Sequence, residues 1–525
     1  MRKERKFINM ASNTRRIAVI GSGISGILSM AMIKEEGMEP VCFEQTDKPG
    51  GTWNYREEAI SGIGSTMPTT IINHSKEMGA ISNFPPSKEY NNYMRHHEVY
   101  QYFTEYLTKH DCLKHIQFNM MVTSVKRSDD YDETGRWVVT ARNMMTDEEV
   151  TDVFDGVMVC VGHITQPIAP ELPGQDTFKG KIMHTHSLKD VNEFKGQNVV
   201  VVGMGCSALD AAVAISDVAK QVYLSTRTGA YVIHRLGPGG YPIDYLLMRR
   251  YLATWLDKIP IQICNWYFEK FYIEPKFNHK LYNVPPKYHV LSNDPVVSDH
   301  ICSKLLSGSV LQKKRIERLT EKGVIFEGSN EETEIDSIIM ATGYTWNFPF
   351  LEDGIVKQEK NGRINLYKVM YPPQLKHPTL AIIGFLLPYG ALFPLAEMQC
   401  RWAAHMLAGK GHLPSSRKML KDIEKQFKAN EKRFCSSDKM TLRVDYVQYL
   451  DDIASQFGVK PNFAKLFFTD IRLFSKLIWG PSVPYQYRLR GPHKWNGARN
   501  AILTCKKRLK APLTPDKYEK KSSQQ

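Results

Sequence analysis

Gly21, Gly23 and Gly26 have the G-x-G-x-x-G spacing that brings a main chain close to the pyrophosphate of a dinucleotide. The first glycine allows a tight turn, the second lets the backbone approach the phosphates, and the third lets a helix pack closely on a sheet. Free N–H groups at the helix N-terminus then bind the negative charge. Glu44 lies 23 residues after Gly21, where a carboxylate accepts hydrogen bonds from a ribose diol and repels a 2′-phosphate. This pattern therefore predicts that the first site binds FAD or NAD, and not NADP.

A second turn of the same kind lies about 180 residues further on, and its acidic partner is replaced by a basic one. Gly203, Gly205 and Ala208 form G-x-G-x-x-A, in which alanine still allows close packing of the helix. Arg227 follows Gly203 by 24 residues, with two hydroxyl residues before it. Because a guanidinium binds a phosphate dianion well, we predict that this site prefers NADPH to NADH. A surface salt bridge is the alternative role for Arg227.

Each glycine turn lies between two short apolar runs, the arrangement of a βαβ unit. A third glycine turn, Pro49–Trp53, follows the first unit and predicts a passage of the chain beside the cofactor. The first unit consists of Arg16–Ile20, a helical stretch to Glu36 and Val41–Glu44, and the second of Asn198–Val202, a helical stretch to Ala219 and Gln221–Arg227.

Two similar strand-like segments, Phe154–Gly162 and Ile335–Tyr344, bracket the second unit, as expected if one domain is inserted into another. We predict an α/β fold with two Rossmann-like dinucleotide-binding domains, the NADPH domain being inserted into a discontinuous FAD domain. The predicted segments are 15–170 for the first part of the FAD domain, 171–334 for the NADPH domain with a helical insertion around 241–300, 335–510 for the second part of the FAD domain with C-terminal helices, and 511–525 for a disordered basic tail.

The composition is that of an ordinary globular protein. Of 525 residues, 42% are hydrophobic and 24% are charged, so the chain can bury a large core. The net charge of +14 is concentrated at the two ends, which argues against a nucleic-acid groove. Nine scattered cysteines without C-x-x-C argue against a zinc site, a dithiol redox centre and a disulfide framework. No metal site is predicted.

Two segments rich in aromatic and aliphatic residues, Tyr241–Ile273 and Phe463–Trp479, have two interpretations. They are packed helices, or they form a surface that faces a membrane or a substrate channel. The N-terminus has no apolar stretch typical of a secretory signal, and the charged C-terminus predicts no membrane anchor. The longest uncharged run, His377–Ala396, is interrupted by prolines and glycines, which favours a buried strand, turn and helix start over a bilayer span.

Several stretches resemble the animal branch of the flavin-containing monooxygenase family, in that family's order. Phe178 to His184 matches its F-x-G-x-x-x-H signature, but Leu188 stands where the family has an aromatic residue, and His74 stands where it has threonine. The resemblance does not extend to the hydrophobic C-terminal anchor usual in vertebrate members, so no such anchor is expected. The resemblance covers roughly residues 16–510 and includes NHSKEMGAISNFPP at 73–86, DYDETGRW at 130–137, MATGY at 340–344, RWAA at 401–404 and PYQYRLRGPHKWNGARNAIL at 484–503.

The resemblance implies cofactor contacts and one catalytic side chain. Asn73 is implied as the catalytic residue, near the reactive edge of the flavin and the nicotinamide of NADP⁺. Trp53 could equally be a core aromatic, and His184 is better explained as a hydrogen-bonded residue between the domains. The implied FAD contacts are Gly21, Ser22, Gly23, Ile24, Ser25, Glu44, Thr52, Trp53, Asn73 and His74, and the implied NADP contacts are Ile72, Asn73, Ser207, Ala208, Leu209 and Asp210.

The implied activity is of the N,N-dimethylaniline monooxygenase type. NADPH reduces FAD, O₂ adds at flavin C4a to give a (hydro)peroxyflavin, and the soft nitrogen or sulfur of a small xenobiotic or metabolic amine or sulfide takes up oxygen. Baeyer–Villiger oxygenation of ketones and uncoupled NADPH oxidation are the alternatives. The expected location is the cytoplasm or the periphery of the endoplasmic reticulum membrane. Membrane contact and homo-oligomerisation stay open at this point.

Overall fold

The computed structural model describes residues 14–359, 362–435, 437 and 439–513. The last helix, Ala498–Lys510, continues as a 3₁₀ turn over Ala511–Leu513, where we expected the start of a disordered tail. Residues 514–525, the rest of that expected tail, lie outside the described residues, as do residues 1–13.

The first glycine turn lies at the end of the central strand of a five-stranded parallel sheet. That strand, Arg16–Ile20, is buried except at its first residue, because both faces of a parallel sheet are covered. Helix Ile24–Glu35 follows the turn and leads into the next strand, as the glycine pattern predicts. The order of the strands in the sheet is Leu380–Ile382, Gly156–Val159, Arg16–Ile20, Glu39–Phe43 and Ile116–Gln117.

The second glycine turn lies at the end of the central strand of another five-stranded parallel sheet. All five strands of this sheet fall between the fourth and the fifth strand of the first sheet along the chain, so the second unit interrupts the first. The order in this sheet is Val310–Lys313, Gln221–Ser225, Asn198–Val202, Ser337–Met340 and Lys181–His184.

The predicted fold class is confirmed, with one change at a domain boundary. Ser337–Met340 was expected in the returning part of the first domain, whose start was predicted at residue 335, but it pairs with Asn198–Val202 inside the second sheet. The chain therefore leaves the second sheet after Met340. The strand and its following glycine turn resemble those of the first sheet, and only the pairing partner shows to which sheet the strand belongs.

Smaller sheets and helices surround the two parallel sheets. Antiparallel strands are Met120–Arg127, Trp137–Asn143 and Glu149–Phe154; Ile316–Leu319, Gly323–Phe326 and Glu332–Glu334; and Gln166–Pro167 with Tyr344–Thr345. Short parallel pairs are Val232–Ile233 with Val296–Val297 and Leu387–Tyr389 with Arg443–Asp445. The α-helices are Ile24–Glu35, His96–Lys109, Tyr131–Thr134, Cys206–Ile215, Ile243–Leu247, Arg250–Leu256, Ile261–Tyr267, Ile301–Leu306, Leu392–Leu407, Ser416–Arg433, Tyr446–Gln456, Phe463–Thr469, Ile471–Trp479 and Ala498–Lys510.

The uncharged run His377–Ala396 forms two short strands and the start of helix Leu392–Leu407, which agrees with the predicted strand, turn and helix start. That helix is buried along almost its whole length, between helix Ile24–Glu35 and helix Tyr446–Gln456. Among the described helices, none has the length and the apolarity needed to cross a bilayer.

Candidate functional site

The first glycine turn has the geometry that its sequence predicts. Gly21 has a φ of +93°, a backbone conformation that favours glycine. A Cβ atom on Gly26 would lie 1.9 Å from the carbonyl oxygen of Gly21, so only glycine allows this helix to start so close to the strand. Gly23 precedes helix Ile24–Glu35 and offers no capping side chain. The N–H groups of the first helical turn are therefore available to a phosphate.

Glu44 lies next to this turn and is buried, with 6% of its surface exposed. One carboxylate oxygen accepts from the N–H and the hydroxyl of Ser22, both at 2.8 Å. The other accepts from the N–H of Thr46 at 3.0 Å and from its hydroxyl at 2.8 Å. Because a carboxylate has about four lone-pair positions, a ribose diol would have to replace the two hydroxyls.

Glu44→Ala is expected to reduce the FAD content of the purified protein and also its thermal stability. The substitution removes the carboxylate that would hold the ribose, and it leaves the buried N–H groups of Ser22 and Thr46 without acceptors. Each such loss costs about 1–3 kcal/mol. Flavin absorbance per polypeptide and the unfolding temperature measure the two effects. Full flavin occupancy in the variant would remove Glu44 from the site.

The third glycine turn packs directly on the first one. The N–H of Gly50 donates to the carbonyl of Ser22 at 2.9 Å, which brings the 3₁₀ turn Gly51–Trp53 beside the phosphate-binding loop. Thr52 and Trp53 are half-buried, and the Trp53 ring meets Phe393 edge-on, with centroids 6.1 Å apart. In the described part of the protein, the buried amide nitrogen of Asn54 has no hydrogen-bond partner. An unpartnered donor beside this loop fits a polar cofactor such as FAD.

The second glycine turn also fits a dinucleotide. Gly203 has a φ of +132°, and a Cβ atom on Gly205 would meet no atom within 4 Å, so the backbone there faces open space. Gly205 also gives helix Cys206–Ile215 no capping side chain. Ser207 is exposed, whereas Ala208 and Leu209 have fully buried side chains and could meet a cofactor only through their backbone.

Arg227 lies just beyond the strand that follows this helix. Its side chain is exposed, and within the described ranges it forms no ion pair. The guanidinium is therefore available to a phosphate, and the alternative role in a salt bridge has no acidic partner here. The preceding Thr226 is held by its N–H, which donates to the carbonyl of Lys313 at 3.1 Å.

The loop around Asn73 connects the first domain with the second dinucleotide site. Ile72 and His74 are buried, whereas Asn73 is exposed. The amide Nδ2 of Asn73 lies 3.5 Å from the Sγ atom of Cys206, the first residue of the helix after the second glycine turn. Residues that are far apart in sequence thus meet at the start of that helix. Arg235 also contacts Asn73 and was not identified from the sequence, since no motif marks it.

The imidazole of His74 points into the core of the first domain. Its ring meets Phe393 edge-on, with centroids 4.7 Å apart. Burial lowers the pKa of His74 to about 4, so the ring is neutral at physiological pH. His74 therefore packs where the family threonine would stand, and only its backbone can reach a cofactor.

His184, in the F-x-G-x-x-x-H segment, and Leu188, just after it, are both buried. His184 is buried, its Nδ1 accepts from the N–H of His186 at 3.0 Å, and its ring packs on Tyr344. This agrees with the structural role favoured for His184. Leu188, which replaces an aromatic residue of the family, is 1% exposed and belongs to the core of the second domain.

Two carboxyl groups around the Asn73 loop and the following helix, those of Asp210 and Asp244, have raised pKa values. Burial raises the pKa of Asp210, in helix Cys206–Ile215, to about 6. Burial also raises the pKa of Asp244 to about 6, although that carboxylate accepts from the N–H of Ser75 at 2.6 Å. The loop that carries Asn73 is thereby fixed at Ser75 by a residue of the helical insertion.

Comparison with known proteins identifies related sequences over almost the whole chain. The family model described as flavin-binding monooxygenase-like matches residues 14–525. Flavin-containing monooxygenase 5 of Rattus norvegicus is 43% identical over 512 residues, which are 97% of this chain and 95% of the relative. Dimethylaniline monooxygenase [N-oxide-forming] 2 of Mus musculus is 42% identical over 501 residues, which are 95% of this chain and 93% of the relative.

Solved structures with a similar fold are more distant in sequence. S-allyl-L-cysteine S-oxygenase from Allium sativum has a TM-score of 0.64 at 23% identity and covers 94% of this chain and 99% of its own. A steroid monooxygenase bound to NADP has a TM-score of 0.60 at 16% identity and covers 87% of this chain and 98% of its own. At these identities the likeness shows the fold.

Proposed function

The chain belongs to the flavin-binding monooxygenase-like family, and from this premise we propose that it oxygenates soft nitrogen or sulfur atoms of small molecules, with NADPH and O₂ as co-substrates. FAD binds at the first glycine turn and NADPH at the second. The name of the N-oxide-forming relative at 42% identity supports nitrogen as a target. Activation of O₂ at the C4a atom of the flavin, expected from the resemblance, is part of this proposal.

Bound FAD would supply the activation of O₂ with electrons from NADPH, and the protein supplies binding and positioning. The N–H groups after Gly23 and Gly205 hold the two pyrophosphates, and Glu44 holds the ribose of FAD. Arg227 binds the 2′-phosphate and selects NADPH. Asn73 presents its amide NH₂ as a hydrogen-bond donor. His74 is assigned no role as a proton donor, because burial lowers its pKa to about 4 and favours the neutral ring.

The observation that supports this proposal is the contact of Asn73, in a loop of the first domain, with the start of the helix that follows the second glycine turn. Its amide nitrogen faces the N-terminus of helix Cys206–Ile215, where the second dinucleotide would bind, while its loop belongs to the first domain. We propose that this side chain contacts the NADPH bound there and also reaches the FAD of the first domain. In that arrangement Asn73 would help to hold the nicotinamide of NADP⁺ in position.

A product assay on the holoenzyme tests the proposal. The enzyme receives NADPH with methimazole, with a tertiary amine or with a ketone, and the products are identified by mass spectrometry. N-oxide or S-oxide formation supports the proposal, and ester formation alone would assign Baeyer–Villiger activity. Hydrogen peroxide that accounts for all NADPH consumed would assign an uncoupled oxidase. Rapid mixing of the reduced holoenzyme with O₂ shows whether an absorbing species precedes oxidised flavin.

Peripheral membrane contact is part of the proposal and rests on an exposed apolar surface. The two aromatic segments pack side by side, since the Tyr251 and Trp479 rings meet at a tilt with centroids 5.1 Å apart and the guanidinium of Arg250 lies 4.6 Å from the centre of the Phe463 ring. A patch of exposed rings and aliphatic side chains of this kind marks an interaction site. We call it the aromatic surface; its exposed members are Trp255, Ile263, Trp266, Tyr267, Phe271, Phe467, Phe468, Ile471 and Trp479.

The charge around the aromatic surface favours an anionic lipid bilayer as its partner. Lys465, Arg472 and Lys476 are exposed on the same two helices as Phe468 and Ile471. Aromatic rings with basic side chains are the composition of helices that lie in a membrane interface. Each basic residue near an anionic surface contributes about 1 kcal/mol of attraction. The expected location on the endoplasmic reticulum would follow from this contact.

Replacing Trp255 and Phe468 together by serine is expected to weaken vesicle binding by about tenfold or more, because each ring loses apolar burial in the interface. Co-sedimentation with phosphatidylcholine vesicles, with and without phosphatidylserine, measures the binding. Met145→Ser with Val150→Ser is the matched control, since these side chains are exposed elsewhere. Equal binding of both variants would contradict the membrane assignment, and loss of a dimer in the first variant would assign the surface to a second copy of the chain.

A further inference from the structure

Arg235 is a buried arginine whose guanidinium reaches from the second domain to the loop around Asn73. Its Nε donates to the carbonyl of Ile72 at 3.2 Å, and its Nη2 donates to the carbonyl of Ile71 at 3.1 Å. The same Nη2 donates to Oδ1 of Asn73 at 2.8 Å. Arg235 is only 8% exposed. Three acceptors of one loop are therefore held by a single side chain.

Arg235 is itself fixed by a carboxylate. Its Nη1 donates to one oxygen of Asp299 at 2.8 Å, and its backbone N–H donates to the other at 2.8 Å. The two residues lie just after the paired strands Val232–Ile233 and Val296–Val297, which hold them in register. Tyr93 of the first domain donates its hydroxyl to the carbonyl of Arg235 at 2.9 Å. The guanidinium thus has a defined position and plane.

This position determines how the amide of Asn73 is oriented. A guanidinium carries only donors, so the atom of Asn73 that faces it must be the carbonyl oxygen. The NH₂ group must then point the other way, toward Cys206 at the start of helix Cys206–Ile215. Without Arg235, the exposed Asn73 side chain could turn its amide over or leave the site.

We infer that Arg235, held by Asp299, is the positioning residue that keeps the amide donor of Asn73 directed toward the second dinucleotide site. The inference rests on the proposed function, because Asn73 is the side chain proposed to contact NADP⁺. Arg235 acts through Asn73 and is not itself assigned a contact with the cofactor. A lysine could replace its charge but not its planar set of donors to four acceptors.

The test is a double-mutant cycle on NADP⁺ binding to the oxidised holoenzyme, which needs no turnover. Arg235→Lys and Asn73→Ala are each expected to raise the dissociation constant of NADP⁺ by about tenfold. If Arg235 acts through Asn73, Arg235→Lys raises the dissociation constant of NADP⁺ by less than about twofold when Asn73 is already alanine. If the dissociation constant of the double variant rises by the product of the two single increases, the inference is overturned.

Arg250→Lys is the matched control, because Arg250 is a buried arginine paired with Asp451 and bonded to Gln486, away from Asn73. It is expected to lower the unfolding temperature, as Arg235→Lys does, and to leave NADP⁺ binding unchanged. An equal loss of NADP⁺ binding in the control would show a general structural effect and overturn the inference.

A second variant keeps the test valid if Arg235→Lys does not fold. Asp299→Asn keeps an acceptor for Arg235 and removes the charge, and it is expected to weaken NADP⁺ binding only when Asn73 is present. If Asn73→Ala changes neither NADP⁺ binding nor product formation, the role of Asn73 in the proposed function fails. If Asn73→Ala has its expected effects but the cycle shows no coupling, only the positioning role of Arg235 fails.

Discussion

Arg227→Ala is expected to raise the KM for NADPH by about 10- to 100-fold and to leave the KM for NADH within about twofold. The guanidinium is exposed and within the described ranges forms no ion pair, so the substitution removes no internal contact of this kind. Charge-assisted hydrogen bonds to a phosphate contribute about 1.5–3 kcal/mol, which corresponds to that change in affinity. NADH lacks the 2′-phosphate and has no such interaction to lose. Steady-state oxidation of each nucleotide measures the ratio.

The exposed Arg417 provides a control, since it lies in the first turn of helix Ser416–Arg433, outside the second sheet. Arg417→Ala should change neither KM. An equal increase for NADPH and NADH in Arg227→Ala would contradict the assignment of the 2′-phosphate. It would place Arg227 in a role common to both nucleotides.

Asn73→Ala is expected to lower oxygenated product by about 10²–10³-fold while FAD stays bound. The loss follows because removing one preorganised donor to developing charge has an effect of this size. NADPH oxidation should continue and release hydrogen peroxide in place of product. Product yield and peroxide, both measured per NADPH, quantify the change, and flavin absorbance confirms that the cofactor remains.

Asn73→Asp tests the donor of this side chain separately from its acceptor, because it removes the NH₂ group and keeps an oxygen. A carboxylate still accepts from Arg235, but it offers no NH₂ group, so we expect the same loss of product as for alanine. Asn91→Ala is the control, because Asn91 is an exposed asparagine bonded to Glu98 at 2.9 Å. Unchanged product yield in both Asn73 variants would remove this residue from the mechanism.

The local elements follow closely from the sequence. The strands Arg16–Ile20 and Asn198–Val202 have the predicted bounds, and each is followed by its glycine turn and helix. The second helix ends at Ile215, before the expected Ala219. These elements are predictable because a tight turn, a close helix and a buried strand each constrain neighbouring residue types.

The surroundings of the site are less predictable. The sequence places Glu44 beside the first turn, but the donation of two hydroxyls to its carboxylate appears only in the fold. For the aromatic segments the sequence left two interpretations, and in the structure they form helices that pack on each other and leave many rings exposed. Burial of a side chain depends on which elements cover it, and periodicity within one segment does not specify them.

The sequence by itself predicted two dinucleotide sites, the opposite charge of Glu44 and Arg227 at their ribose positions and the insertion of one domain into another, because these depend on backbone conformation and on residues close together in the chain. Only the tertiary structure decided that Ser337–Met340 joins the second sheet and that Arg235 and Cys206 meet Asn73. Contacts across more than 100 residues depend on how whole domains pack, and no local pattern records that packing. The orientation of the Asn73 amide is therefore a property of the folded protein.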